Sequence, residues 1–205
     1  IITKNIDNGT YSWRVFTTLI DGSNDRLFLD ATSTKADQTD APVPSSSVFY
    51  VGSNLDHNKA NDNIIAYCWH DVPGLQKFGK WTNNNNNNGT FIELGFKPAL
   101  ILLKNTDNVE KWYWIDSSRH SYNEVAPSNN AAGAVNTLQP NTSNTEATSR
   151  GSHTNTTVDI LSNGFKIYTT NPASGEISFG TRNYIYAAWA EAPSINLYGG
   201  QSNAR

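Results

Sequence analysis

At 205 residues, with a net charge of −3, a pI near 5.8 and only 16% charged residues, the chain has no basic field to hold a nucleic-acid backbone, yet it is long enough to bury a real core. No apolar run reaches the roughly 18–20 residues that a membrane helix needs, and the single cysteine, Cys68, excludes an internal disulfide. Asn, Thr, Ser and Gly abound and methionine is absent; short polar side chains compete for backbone hydrogen bonds, so helices are expected to be scarce.

Taken in chain order, short apolar or alternating segments lie between turn clusters. The opening 1–4 (IITK) reads as a strand, followed by 48–51 (VFYV), 63–69 (NIIAYCW), 90–94 (TFIEL), 99–104 (ALILLK), 111–116 (KWYWID), 164–170 (GFKIYTT) and 183–190 (NYIYAAWA). Their β-branched and aromatic content, length and turn-rich flanks predict strands of an all-β protein. Segments 63–69 and 183–189, apolar on both faces, read as central strands, and so does 99–103.

The chain also repeats itself. Ile1-Ile2-Thr3-Lys4-Asn5 matches Ile101-Leu102-Leu103-Lys104-Asn105, and Asp7-Asn8 matches Asp107-Asn108. SWRVF (12–16) falls against KWYWI (111–115) after one inserted residue, and SVFYVGSN (47–54) against GFKIYTTN (164–171). NIIAYCWHDVPGLQKFG (63–79) sits against NYIYAAWAEAPSINLYG (183–199), sharing Asn63/Asn183, Trp69/Trp189, Pro73/Pro193 and Gly79/Gly199. Residues 80–100 have no counterpart ahead of Ile1. The expected architecture is therefore two tandem β-sandwich, jelly-roll-like repeats, at 1–79 and 80–205, the first lacking its N-terminal strands. The open edge this leaves predicts neighbours from residues upstream in a longer protein, or from another chain. Alternation places Trp112 and Trp114, with Trp13 and Val15, in the core, and points Tyr113 outward with Arg14.

Candidate chemistry is sparse. Asp71 and Glu191 stand at equivalent places before Pro73 and Pro193, which favours a turn role over the facing carboxylate pair of a glycosidase. His57, His70, His120 and His153 have no metal-ligand spacing, and Cys68, aligned with Ala188, reads as a small core residue. The loops NIDNG (5–9) and DGSND (21–25) offer oxygen ligands for Ca²⁺ but lack the twelve-residue spacing with a closing Glu, so turn chemistry accounts for them. No catalytic residue, metal or cofactor is expected. Two polar loops remain as ligand-binding candidates. DSSRHSYN (116–123), with Tyr113 beside it, offers Arg119, His120 and Tyr122; the run 83–88, closing at Asn88-Gly89, presents Asn85 and Asn86 at a hairpin tip.

The blocks GTFIELGFKPALILLKNTDN, WYWIDSSRHSYN, LSNGFKIYTTN, YIYAAWAEAP and the closing SNAR resemble a repeat domain of structural proteins of marine tailed bacteriophages, cyanophages in particular, found in predicted tail fibres and other virion surface proteins. The resemblance covers nearly the whole chain and implies a virion location, on the tail or the capsid surface. It implies no catalytic residues. Turn-rich loops on a rigid scaffold suit weak contacts to host cell-surface glycans, strengthened by avidity, so the expected function is the C-terminal part of a tail fibre or receptor-binding protein. Its partners would be other virion proteins and copies of itself, a trimer being natural for a fibre. A purely architectural capsid-decoration or tail-spacer role is the first alternative. A polysaccharide depolymerase is the second.

Overall fold

Antiparallel strands account for nearly all the regular structure in the computed structural model, which describes residues 1–119, 136–146, 156–169, 177 and 180–192. The chain is an all-β sandwich of three sheets. The first sheet has the order β4-β3-β2-β1-β5, built from β1 (Ile2–Asn5), β2 (Arg14–Thr17), β3 (Asp25–Phe28), β4 (Ala36–Asp37) and β5 (Ile64–Tyr67). The second has the order β6-β12-β8-β9, from β6 (Gln76–Thr82), β8 (Pro98–Asn105), β9 (Trp112–Asp116) and β12 (Asn183–Ala190). The third, β10-β11-β7, joins β7 (Phe91–Glu93), β10 (Thr156–Leu161) and β11 (Gly164–Thr169). One short helix, α1 (Leu55–Asn58), lies over the first sheet.

The internal repeat is structural as well as textual. Ile2 pairs with Val15 and Asn5 with Ile64, as Leu102 pairs with Trp114 and Asn105 with Tyr184. At the end of each leading strand the same turn is tied by the same side chains. Asn5 Oδ1 accepts the amides of Asp7 and Asn8 at 3.1 and 2.9 Å, and Asn105 Oδ1 those of Asp107 and Asn108 at 2.9 Å each. The following carboxylate then clasps the last strand: Asp7 Oδ2 accepts from the Asn63 amide at 2.6 Å, and Asp107 Oδ2 from that of Asn183 at 2.8 Å. Lys4 donates to the Gly9 and Tyr11 carbonyls, and Lys104 to those of Thr32 and Glu110.

The two repeats bury the same face against each other. Ile2 and Val15 of the first sheet, with Leu27, pack on Leu102, Trp112, Trp114 and Ile185 of the second. Trp69 and Trp189, which are equivalent positions, meet edge to face with ring centroids 6.3 Å apart. Contact between an element and its own counterpart is the mark of a two-fold relation, here a pseudo-two-fold within one chain. Lys80 Nζ of β6 reaches the Ile20 carbonyl beyond the end of β2, while Trp112 Nε1 of β9 reaches the Phe28 carbonyl at the far end of β3. The two bonds tie the first repeat to both edge strands, β6 and β9, of the second sheet.

The outward faces differ. In the second repeat, Ile101, Leu103, Tyr113 and Ile115 meet the third sheet through Ile92, Val158, Phe165 and Ile167, forming the larger core. Tyr113 is therefore 1% exposed, not outward as alternation had it, because both faces of β9 are covered. Trp112 and Trp114 line the seam between repeats. In the first repeat no sheet covers the corresponding face among the described residues; the loop 40–58 with α1 does. Arg14, equivalent to Tyr113, is buried there, its guanidinium 2.6 Å from Asp56, donating to Gln38 Oε1 at 3.1 Å and lying over the rings of Phe16 and Phe28.

Segment 48–51, matched in sequence to β11, is an exposed loop rather than a strand, having no neighbouring sheet to join. Among the described residues β5 lies at a sheet edge instead of the centre, and Cys68 just beyond it is exposed while its counterpart Ala188 is buried. The expected boundary at 79/80 falls inside β6, which pairs along its length with β12.

Two outcomes follow from this packing. Trp112→Phe keeps an aromatic ring but removes the indole N–H and leaves the Phe28 carbonyl only the longer bond from the Ala31 amide at 3.2 Å, and should cost about 1–3 kcal/mol in urea unfolding. His57, buried edge-on to Phe16 with neither ring nitrogen hydrogen-bonded, has its pKa pushed below 6.5 by burial and then by Arg14. Below pH 6.5 the unfolded chain takes up a proton that the folded chain refuses, so stability should fall from pH 7 to 5. His57→Phe should flatten that slope; a variant whose urea midpoint tracks the wild type across this range would refute the assignment.

Candidate functional site

The two candidate loops emerge at opposite ends of the second sheet. Along β12, Asn183 pairs with Thr82, where the Asn run begins, whereas Trp189 pairs with Leu100, which in turn faces Asp116. They form two surfaces, not one site. At the Asp116 end, Arg119 is already engaged: its backbone amide donates to Asp116 Oδ1 at 2.9 Å, its Nε donates to Asp116 Oδ2, and its Nη1 donates to Glu146 at 2.9 Å. Arg119 serves its own turn, and Tyr113 is buried. His120 and Tyr122 lie outside the described residues.

The Asn run makes a better surface. It is a chain of side-chain-closed turns. Asn84 Oδ1 accepts the Asn86 amide at 3.1 Å, Asn86 Oδ1 accepts the Asn88 amide at 2.9 Å, and the Gly89 amide returns to the Asn86 carbonyl at 2.9 Å. Asn83 anchors the base by donating from Nδ2 to the Gly180 carbonyl at 2.9 Å. Asn85 sits in the left-handed region at φ 52°, tolerable for asparagine. Gly89 closes the tip at φ 40°, and a Cβ there would overlap the Ile167 carbonyl oxygen, so only glycine fits.

This rigid tip leans on the third sheet. The Thr169 amide donates to the Asn87 carbonyl at 3.2 Å, and Lys166 Nζ to Asn88 Oδ1 at 2.9 Å. Lys166 also lies 4.7 Å from the Tyr168 ring centroid, and on the neighbouring strand Phe91, opposite Lys166, is 43% exposed. Exposed amides at Asn85, Asn86 and Asn87 thus stand beside an aromatic and cationic strip. Asn85 and Asn86 were visible in the sequence; Lys166, Tyr168 and Phe91 were not singled out, although their alternation with buried Phe165 and Ile167 marks the outward face of a strand.

Other candidates resolve into scaffold. The Asp71 carboxylate accepts the Phe78 amide at 2.9 Å, and Glu191 pairs with Lys97 at 2.5 Å. The loop 21–25 brings Asp21 and Asp25 together with Asp37, their oxygens within 4.8 Å of one another, a spacing that could hold a cation. A cation is already present as Lys35, whose ammonium bonds to Asp21 at 2.5 Å and to Asp25 and Asp37 at 3.1 Å each. These bonds hold the Asp21 carboxyl well below its ordinary range, while burial pushes that of Asp25 upward.

The chain belongs to the family described as Domain of unknown function (DUF7483), whose model matches residues 1–193. No curated protein matches it, and no solved structure does.

Lys35→Met should destabilise the chain by about 1–3 kcal/mol at pH 7, since fully buried Asp25 would keep its charge without a partner. The loss should shrink as acid neutralises that carboxyl, which urea titrations at pH 7 and pH 4 would measure.

Proposed function

We propose that this chain is a bacteriophage virion structural module, a part of a tail fibre or receptor-binding protein, that touches host-surface glycan through the asparagine tip and the adjoining face of the third sheet. The sequence resemblance supports the virion placement. The geometry supports the glycan contact: the tip is fixed by its own side chains before any ligand arrives, so the exposed amides of Asn85, Asn86 and Asn87 can engage sugar hydroxyls with little further ordering. Phe91 and Tyr168 beside them offer apolar faces of the kind that sugar rings pack upon. A few such hydrogen bonds give weak affinity, which several copies on one particle multiply through avidity.

A second reading draws on the opposite side of the molecule. Val43, Val48, Tyr50, Val51 and Leu55 are each exposed on the loop and helix covering the first sheet, and apolar side chains presented there suit contact with another virion protein, as in an architectural spacer or capsid decoration.

Binding of purified chain to immobilised host-envelope polysaccharide separates the two. The glycan reading expects concentration-dependent binding that falls about tenfold in an Asn85→Gly, Asn87→Ala double variant, which removes two exposed side-chain amides while leaving the turn bonds of Asn84 and Asn86 in place. Equal binding by wild type and variant would refute the tip as the contact.

A further inference from the structure

We infer that the asparagine tip and Lys166 form an anion-selective contact, so that the glycan they take carries carboxylate or sulfate groups. The inference rests on the glycan reading of the tip and names the class of sugar.

The turns consume the tip's side-chain oxygens. Asn84 Oδ1 accepts the Asn86 amide, Asn86 Oδ1 the Asn88 amide, and Asn88 Oδ1 the Lys166 ammonium. Each of those partners can only donate, which fixes every one of the three amides with its oxygen toward the donor and its Nδ2 turned away. Asn84 Nδ2 then donates to the Gly89 carbonyl at 2.5 Å. The Nδ2 groups of Asn86 and Asn88 donate to no other described residue, and both side chains are exposed. What these two side chains offer a ligand is therefore N–H.

Lys166 adds a charge to these donors. Its ammonium carries three N–H bonds; one goes to Asn88 Oδ1 at 2.9 Å, and the group is steadied 4.7 Å from the Tyr168 ring centroid. Other cations of the chain are matched: Lys35 by three aspartates, Lys97 by Glu191, Arg14 by Asp56, and Lys80 by the Ile20 carbonyl. No carboxylate among the described residues pairs with the Lys166 ammonium; Asp159 faces it across the β10–β11 ladder without forming an ion pair.

A sugar hydroxyl both donates and accepts, so it can meet N–H and C=O alike. An ionised carboxylate or a sulfate ester only accepts, and hydrogen bonds from a cation to such oxygens are roughly twice as strong as neutral ones. A surface whose oxygens are taken and whose remaining hydrogens include an ammonium favours the anionic partner. The net charge of −3 gives the chain as a whole no pull on polyanions, so the preference arises at this local site.

Two pairs of polymers that differ chiefly in charge test this on the full chain by calorimetry: dextran against dextran sulfate, and methyl-esterified pectin against polygalacturonate. The charged member of at least one pair should bind about tenfold more tightly than its neutral partner, and the pair that shows it identifies the anion as sulfate or carboxylate. Lys166→Gln should abolish the preference and Lys166→Arg should keep it. Lys59→Gln, which removes an ammonium from the first repeat, should leave it unaltered. Raising sodium chloride from about 0.05 to about 0.5 M should shrink it, because an exposed charge is screened. Equal affinity within both pairs, a preference indifferent to salt, or one that Lys59→Gln lowers as much as Lys166→Gln would overturn the anion selectivity and leave the glycan reading standing. Binding to none of the four polymers would refute both.

Discussion

The burial of one repeat's apolar face against the same face of the other is the constraint on which the rest depends. Each contributes a short, strongly β-forming set of strands that could not cover itself alone; stacked together, they give Ile2, Val15 and Leu27 a floor of Leu102, Trp112 and Ile185. The seam is directional as well as apolar, since the Trp112 indole reaches 2.7 Å to the Phe28 carbonyl and so fixes how one sheet is turned on the other. With that face committed, every remaining difference between the halves has to appear on their outer sides.

There the same strand pair meets two solutions. Over the second repeat a third sheet supplies apolar cover, and the position on β9 is Tyr113. Over the first, a loop and a one-turn helix provide less apolar surface, and the position is Arg14, whose charge is matched by Asp56 and flanked by two aromatic rings. Burying a guanidinium is tolerable only with such partners. The asparagine tip stands where packing imposes least, past the end of β6, held by its own amides.

Strand segments and the repeat were legible in the sequence because they rest on local pattern: β-branched alternation, and anchors such as Asn5/Asn105 and Asp7/Asp107 whose side chains tie equivalent turns. What two identical faces do when they meet was not legible. Tyr113 read as outward because alternation distinguishes two faces without saying that both are covered. Cys68 and Trp69 read as interior by analogy with Ala188 and Trp189, yet burial of those partners comes from β6, a neighbour the first repeat lacks among the described residues. For the site, Asn85 and Asn86 stood out through composition, whereas Lys166, Tyr168 and Phe91 join them only through strand pairing across a long stretch of chain. The Arg119 loop looked available because its partners, Asp116 and Glu146, include one that is distant in sequence.

Lys104 deserves a last consequence. Its ammonium is buried beside the seam, where desolvation, opposed by Glu110, brings its pKa down to about 8, and it donates to two carbonyls, those of Thr32 and Glu110. A neutral amine still carries two hydrogens, one for each acceptor. Mild alkali can therefore strip the charge without breaking either bond. Between that value and the ordinary 10.5 the unfolded chain holds a proton the folded chain has released, so this junction tightens as the medium turns basic.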